Sequence, residues 1–343
     1  MPLLIINEPF QLESGEVLSG LEVYYETYGS FQPDSSKVIW VCHALTANAD
    51  VFDWWPGLFG EKDLFNPRDY FIVCINNLGS CYGTTGPLSN KPETGKPYYH
   101  TFPEFTIRDM AKVHSLAHQK LQLGKIHLLI GGSQGAQQAM EWAIQDSDLF
   151  ENLALIATNA KHSPWGIAFN ETQRMAIETD PSWRSDAANA GLQGMKTARA
   201  MALLSYRNYF TYQHAQQGKN FDGTPKAVSY QRYQGEKLAR RFNALSYYRL
   251  SKAMDSHDVG RGRGGLAKAL RAIKSNTIVV SILSDLLFPP EEQLFLREHI
   301  THAQYAEIDS VYGHDGFLVE TQKLSSILKH FLITQNKTTY VKN

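Results

Sequence analysis

Residues 126–136 read Ile-His-Leu-Leu-Ile-Gly-Gly-Ser-Gln-Gly-Ala, an apolar run that passes directly into Gly-x-Ser-x-Gly. Ile126 to Ile130 read as a buried strand, and Gln137-Gln138-Ala139-Met140-Glu141-Trp142-Ala143 read as a helix. A serine on a sharp strand-to-helix turn is a nucleophile elbow. The glycines are physically required there. The serine backbone is strained, and strand and helix pass too close for side chains at the flanking positions. The helix N-terminus also aims free N–H groups at the reacting centre. The plainer alternative is a Gly/Ser turn that merely joins two elements; the strand before it and the helix after it favour the nucleophile.

The rest of the chain repeats the same grammar. Val38 to Cys42, Tyr70 to Ile75, Ile126 to Ile130, Leu153 to Ala157 and Thr277 to Leu283 are short apolar runs of the kind that make buried parallel strands, with Tyr305 to Ile308 a weaker one. Leu21 to Tyr28 suggests an early strand at the sheet edge, and Arg108 to Leu121 and Glu292 to Ile300 have helical spacing. This alternation predicts an α/β fold, a mostly parallel sheet flanked by helices. From about Ser163 to Ala267 no strand is legible, and Asn170 to Ile177, Thr197 to Tyr206, Tyr230 to Phe242 and Ser246 to Met254 read as helices. A length of 343 residues accommodates such an insertion in one domain. The expected organisation is a core over 1–162 and 268–343 with a helical lid over 163–267. The polar tail from Thr334 to Asn343 is expected to fray.

Composition excludes several function classes. A net charge of −1 gives no reason to expect nucleic acid or an anionic membrane as partner. The start, Met1 to Glu8, lacks a basic region and its apolar run is too short for a signal peptide. No stretch approaches the roughly 18 apolar residues of a membrane span. Cys42, Cys74 and Cys81 are an odd number, two of them inside strand-like runs, so buried reduced thiols and a cytoplasmic location are expected.

A serine hydroxyl needs a base, and the base needs an orienting acid. In the α/β-hydrolase fold the chain order is Ser, then Asp or Glu, then His. Asp285 directly follows the strand Thr277 to Leu283, and His314 lies in Val311-Tyr312-Gly313-His314-Asp315-Gly316-Phe317. Ser133, Asp285 and His314 are therefore the expected triad. The plainer readings are a helix cap for Asp285 and a loop histidine for His314. An oxyanion needs two backbone donors. The N–H of Gln134 is one, and the N–H of Leu45, in His43-Ala44-Leu45-Thr46 after an early strand, is the other. His43 is read as support for that loop rather than as a second base.

On these residues the chain resembles the homoserine O-acetyltransferases. The resemblance is carried by His43 to Thr46, by Asn77-Leu78-Gly79-Ser80-Cys81-Tyr82-Gly83-Thr84-Thr85-Gly86-Pro87, by Phe105 to Met110 and by the elbow through Ala143. It continues in Ser284-Asp285-Leu286-Leu287-Phe288-Pro289-Pro290 and in Gly313 to Leu318. That family usually has Met after the nucleophile, where this chain has Gln134. The resemblance implies transfer of an acetyl group from acetyl-CoA, a co-substrate and not a bound cofactor, to L-homoserine by a ping-pong route in methionine biosynthesis. It implies a homodimer built through lid helices. It also implies that Asp315 meets the homoserine ammonium while Arg199 and Tyr206 meet its carboxylate. Arg is the best fork for a carboxylate. Arg199 and Tyr206 are seven apart, so on a helix they share a face. Succinyl transfer, serine as acceptor, an esterase using the same triad and a catalytically silent binding protein are the alternatives.

Two further features weigh less. Gly260-Arg261-Gly262-Arg263-Gly264-Gly265 contains a formal GxGxxG but follows a helical stretch and lacks a P-loop Lys. A basic loop near coenzyme A phosphates and a lid hinge are its two readings. His114 and His118 are four apart on a helix, but no third metal ligand presents itself, so a solvated helix face and no metal are expected.

Overall fold

The computed structural model describes residues 2–33 and 35–340, with the last six as backbone only. In chain order the first part comprises β1 (Leu3–Ile6), β2 (Phe10–Gln11), β3 (Val17–Leu18), β4 (Leu21–Tyr28), β5 (Val38–Cys42), α1 (Val51–Trp54) and β6 (Phe71–Ile75). Then come α2 (Ile107–Lys120), β7 (Ile126–Gly132), α3 (Gln134–Gln145) and β8 (Phe150–Ile156). Six helices follow: α4 (Pro164–Glu178), α5 (Leu192–Tyr206), α6 (Tyr209–Ala215), α7 (Lys226–Ala239), α8 (Ala244–Asp255) and α9 (Leu266–Leu270). The chain ends with β9 (Asn276–Ile282), α10 (Pro290–His299), β10 (Gln304–Ile308), α11 (Gly316–Val319) and α12 (Thr321–Tyr340).

Eight strands form one sheet in the order β1-β4-β6-β5-β7-β8-β9-β10. β1 and β4 run antiparallel to their neighbours and the others are parallel. β4 is not the edge strand expected from sequence. Leu3 to Ile6 pair outside it, in register from Leu3 opposite Tyr24 to Ile6 opposite Leu21. The apolar run at the start of the chain is therefore a strand that covers β4.

The continuous apolar runs follow from burial on both faces. In β5, Val38, Trp40 and Cys42 face one core, packed with α2 and α3, while Ile39 and Val41 face another, packed with α12. Successive strand residues point to opposite faces, so a strand covered by helices on both sides has no polar alternation. The chain goes from β5 outward to β6 and then returns past β5 to β7, so strand order reverses there. A crevice forms outside the carboxyl ends of strands at such a switch point. The loops after β5 and β7 both end in it.

Between β8 and β9 the described residues contain helices and no named strand. α6 was not legible in the sequence. α5 packs between α4 and α7. Arg174 of α4 pairs with Asp255 of α8 at 2.6 Å, and Gln134 Nε2 donates to the Leu250 carbonyl at 2.9 Å, which ties α8 to the elbow. α9 turns back into the main core through Ala269 and Leu270. The tail is helical in its backbone to Tyr340, where fraying was expected, and its last three residues lie outside the described ones. Among the described residues no helix is long and apolar enough to cross a membrane. Cys42 and Cys74 are buried free thiols and Cys81 is only half-buried.

Candidate active site

Ser133 connects β7 directly to α3 with φ 57° and ψ −129°, a conformation that costs a non-glycine residue energy. Neighbouring backbone enforces it. A Cβ on Gly135 would stand 2.0 Å from the Cys42 carbonyl oxygen, and one on Gly131 would stand 2.4 Å from the Gly135 carbonyl carbon. The Ser133 carbonyl accepts from the N–H groups of Ala136 and Gln137 and from the Thr158 hydroxyl at 3.2 Å, which fixes the turn from three sides.

The Ser133 Oγ is 2.9 Å from His314 Nε2, and His314 Nδ1 is 2.6 Å from Asp285 Oδ2. An ionised Asp285 only accepts, so the proton of the neutral ring sits on Nδ1 and Nε2 accepts from the serine hydroxyl. The other carboxylate oxygen of Asp285 accepts from the N–H groups of Leu287 at 2.8 Å and Phe288 at 2.9 Å. Asp285 thus caps its own loop and orients the histidine at once. His314 lies on a short turn where Gly313 has φ 63° and donates its N–H to Ser284 Oγ at 3.0 Å. The rings of Phe288, Phe317 and Tyr206 surround it. Burial works against charging His314, but the Asp285 carboxylate outweighs it and the pKa moves up from the ordinary value.

The loop after β5 is braced from below. His43 Nε2 accepts from the Asn77 N–H at 3.1 Å, which leaves Nδ1–H to donate to the Ala44 carbonyl at 2.9 Å. Both ring nitrogens are engaged, and burial drives the pKa down to about 4, so His43 serves the loop. Gln138 Nε2 donates to the His43 carbonyl, and Gln138 Oε1 accepts from His114, whose Nδ1 accepts from Trp40 at 2.9 Å. From the lid, Arg241 Nη1 donates to the Thr46 carbonyl at 2.6 Å. Among the described residues the N–H groups of Leu45 and Gln134 meet no protein acceptor.

A cavity of about 480 Å³ opens onto Ser133 and His314. Leu45, Arg199, Tyr206 and Asp315 line it, together with Asp53, Lys237 and Arg241. The Arg199 guanidinium lies 5.3 Å from the centre of the Tyr206 ring, so these two do share a face of α5. Asp315 is not unpaired: its Oδ2 is 2.8 Å from Arg207 Nε. Sequence reasoning missed Arg207 and Arg241. One caps α5 and the other follows α7, and no motif marks either.

One of the two readings of Gly260–Gly265 loses support, and one expectation is corrected. The Gly260–Gly265 loop does not line the cavity. Arg263 pairs with the buried Glu141 of α3, and Arg261 pairs with Glu13 at 2.7 Å, so its cations are consumed in bracing the core. His114 is not on a solvated face. It is buried between Trp40 and Trp142, because its helix packs on the sheet with that face inward. Among the described residues no three His, Cys, Asp or Glu side chains gather as a metal site.

A sequence model of the alpha/beta hydrolase fold matches residues 37–321. A homoserine O-acetyltransferase of Cyclobacterium marinum is 48% identical over 331 residues, covering 96% of this chain and 94% of the relative. Among solved structures, a homoserine O-acetyltransferase from Staphylococcus aureus superposes with a TM-score of 0.81 at 28% identity, covering 96% of this chain and 95% of that one. Esterase E22 superposes with a TM-score of 0.88 at 20% identity, covering 96% and 99%, a likeness of fold alone.

Proposed function

Because the chain belongs to the homoserine O-acetyltransferase family of α/β hydrolases, we propose that it moves an acetyl group from acetyl-CoA to the hydroxyl of L-homoserine, a step of methionine biosynthesis. The observation that carries the reading is the Ser133–His314–Asp285 chain of contacts at 2.9 and 2.6 Å, opening onto one cavity with Arg199, Tyr206 and Asp315.

In the first half-reaction Ser133 Oγ attacks the thioester carbonyl as its proton passes to His314 Nε2. Asp285 stabilises the resulting imidazolium. The N–H groups of Leu45 and Gln134 receive the oxyanion. The C–S bond breaks, and the coenzyme A thiolate leaves with the proton from His314, giving an acetyl-serine. In the second half-reaction homoserine places its carboxylate at Arg199 and Tyr206 and its ammonium at Asp315. His314 takes the homoserine hydroxyl proton, the oxygen attacks the acyl carbon, and the Ser133 C–O bond breaks with return of the proton to Oγ. A bound amino acid held by both charges excludes water from the acyl-enzyme, which separates a transferase from an esterase.

The test is release of free CoA from acetyl-CoA and from succinyl-CoA, each with homoserine, with serine and with water alone. Fastest release with acetyl-CoA plus homoserine is expected. Equal release with water alone would overturn transfer in favour of hydrolysis. Ser133→Ala should lose both turnover and the acetyl adduct seen by intact mass, and an adduct that persists would overturn the assignment of the nucleophile. The reading includes a homodimer through the lid, supported by exposed Leu204, Tyr209, Phe210, Val228 and Tyr233 on α5 to α7. Light scattering that gives a monomer mass would remove that part.

A further inference from the structure

We propose that Lys237 and Arg241, at the solvent end of the catalytic cavity, form the binding site for the phosphate groups of the acyl donor's nucleotide. The inference rests on the acyl-CoA reading and names residues that recognise a part of the donor remote from the chemistry.

The same cavity is lined by Ser133 and His314, both buried, and by Lys237 and Arg241, both exposed, so these cations stand where it meets solvent. A thioester donor must put its acyl carbon at Ser133. Its phosphates cannot follow inward, because burying charge without full compensation is expensive. They remain where the cavity meets water. Lys237 is in the last turn of α7 and Arg241 is four residues on.

Among the described lid cations without a carboxylate partner, a set that also includes Arg232 and Arg240, those that line the cavity are Arg199, Lys237 and Arg241, and Arg199 is the one assigned to the acceptor's carboxylate. Arg174, Lys196, Arg207, Arg249 and Lys252 of the lid all pair with carboxylates. Among the described residues Lys237 and Arg241 have no carboxylate partner. Glu236, beside Lys237 in sequence, is taken by Lys196 at 2.8 Å. Arg241 donates through Nη1 to the neutral Thr46 carbonyl and Tyr82 hydroxyl, both at 2.6 Å. Those contacts orient the guanidinium, and among the described residues Nε and Nη2 meet no protein acceptor. A planar fork fixed in this way is suited to phosphate oxygens, with Lys237 as a second point charge. Asp53 on the cavity wall is the opposing acid. The competing explanation is that both cations only complement the carboxyl end of α7.

The donors acetyl-CoA and S-acetylpantetheine distinguish the two, since the second has the same thioester arm and no phosphate. Michaelis constants for each are measured at low salt for the native chain, Lys237→Ala, Lys237→Arg and Lys237→Glu. For acetyl-CoA, Lys237→Ala should raise KM by about 2- to 5-fold, the worth of one exposed pair. Lys237→Glu should raise it further, Lys237→Arg should stay near native, and high salt should shrink the differences. KM for S-acetylpantetheine should move less than twofold. A rise shared equally by both donors, or no rise for acetyl-CoA, overturns the proposal. If the native chain transfers acetyl from neither thioester, the acyl-CoA reading has failed instead. Calorimetric binding of adenosine 3′,5′-bisphosphate, present in the native chain and weakened in Lys237→Glu, then still decides whether this is a phosphate site.

Discussion

Arg207 Nε lies 2.8 Å from Asp315 Oδ2, so the carboxylate next to His314 is already held by a cation at the end of α5. An acid that is pinned in place presents its remaining lone pairs in a fixed direction. For an acceptor with an ammonium group, that is orientation as well as charge. Asp315→Asn and Arg199→Leu should preserve the burst of CoA release and impair the second half-reaction by about 2–5 kcal/mol, the range for a lost buried charge partner. Arg207→Met should raise the homoserine KM and also leave the burst intact. Rapid-quench CoA release beside steady-state turnover reads all three, and equal loss of burst and turnover would assign these side chains to the fold.

The raised pKa of His314 sets the acid side of the pH profile. The ring must be neutral to accept the Ser133 proton, so kcat/KM should fall as pH drops through a value above the ordinary 6.5. Asp285→Asn removes the group that raises it. The acid limb should then move to lower pH while the plateau falls by about 10⁴-fold. An acid limb that Asp285→Asn does not shift would contradict the assignment.

Four buried histidines predict acid lability. Burial drives His43, His114 and His257 down to about 4 and His162 to about 3. Unfolded histidines bind protons near 6.5, so the folded chain binds fewer as pH falls below that value. Their stabilising effect is complete above about pH 6.5 and is lost as pH falls toward about 4, at up to ~1.4 kcal/mol per pH unit per group. The urea midpoint followed over that window should drop steeply, and a flat profile would show that these rings become charged without cost.

Gly135→Ala should disable the elbow through the backbone alone. The added methyl would stand 2.0 Å from the Cys42 carbonyl oxygen, closer than any contact allows, so β5 and α3 must separate. Overpacking of this kind costs about 1–3 kcal/mol. The expected result is a lower urea midpoint and loss of the acyl adduct while Ser133 is still present. Native activity in the soluble fraction would mean that α3 shifts without cost.

The sequence by itself determined the elements whose residues are neighbours in the chain. The strand, turn and helix around Ser133 were legible because both core faces demand apolar runs and the turn demands glycine. The strand runs of β5 to β9 were visible for the same reason, while β10, at the sheet edge with only Ile308 buried, gave a weaker run, and the strand-free stretch of the lid was legible too. The family likeness pointed to Arg199, Tyr206 and Asp315 on matched residues, and the tertiary structure places them around one cavity.

Other features depend on contacts between distant segments, and no local pattern encodes them. β1 became the edge because its apolar run found β4, a pairing that short hydrophobic runs alone do not specify. His114 looked like a surface residue until Trp40 and Gln138, 74 and 24 residues away, closed around it. The Gly260–Gly265 loop kept two readings in the sequence because the partners of its arginines, Glu13 and Glu141, are distant in the chain. Arg207 on Asp315 and Arg241 on Thr46 join the lid to the core across 108 and 195 residues of chain. A charge reveals its role only when its partner is known, and the partner of a lid residue is chosen by how the lid docks on the sheet.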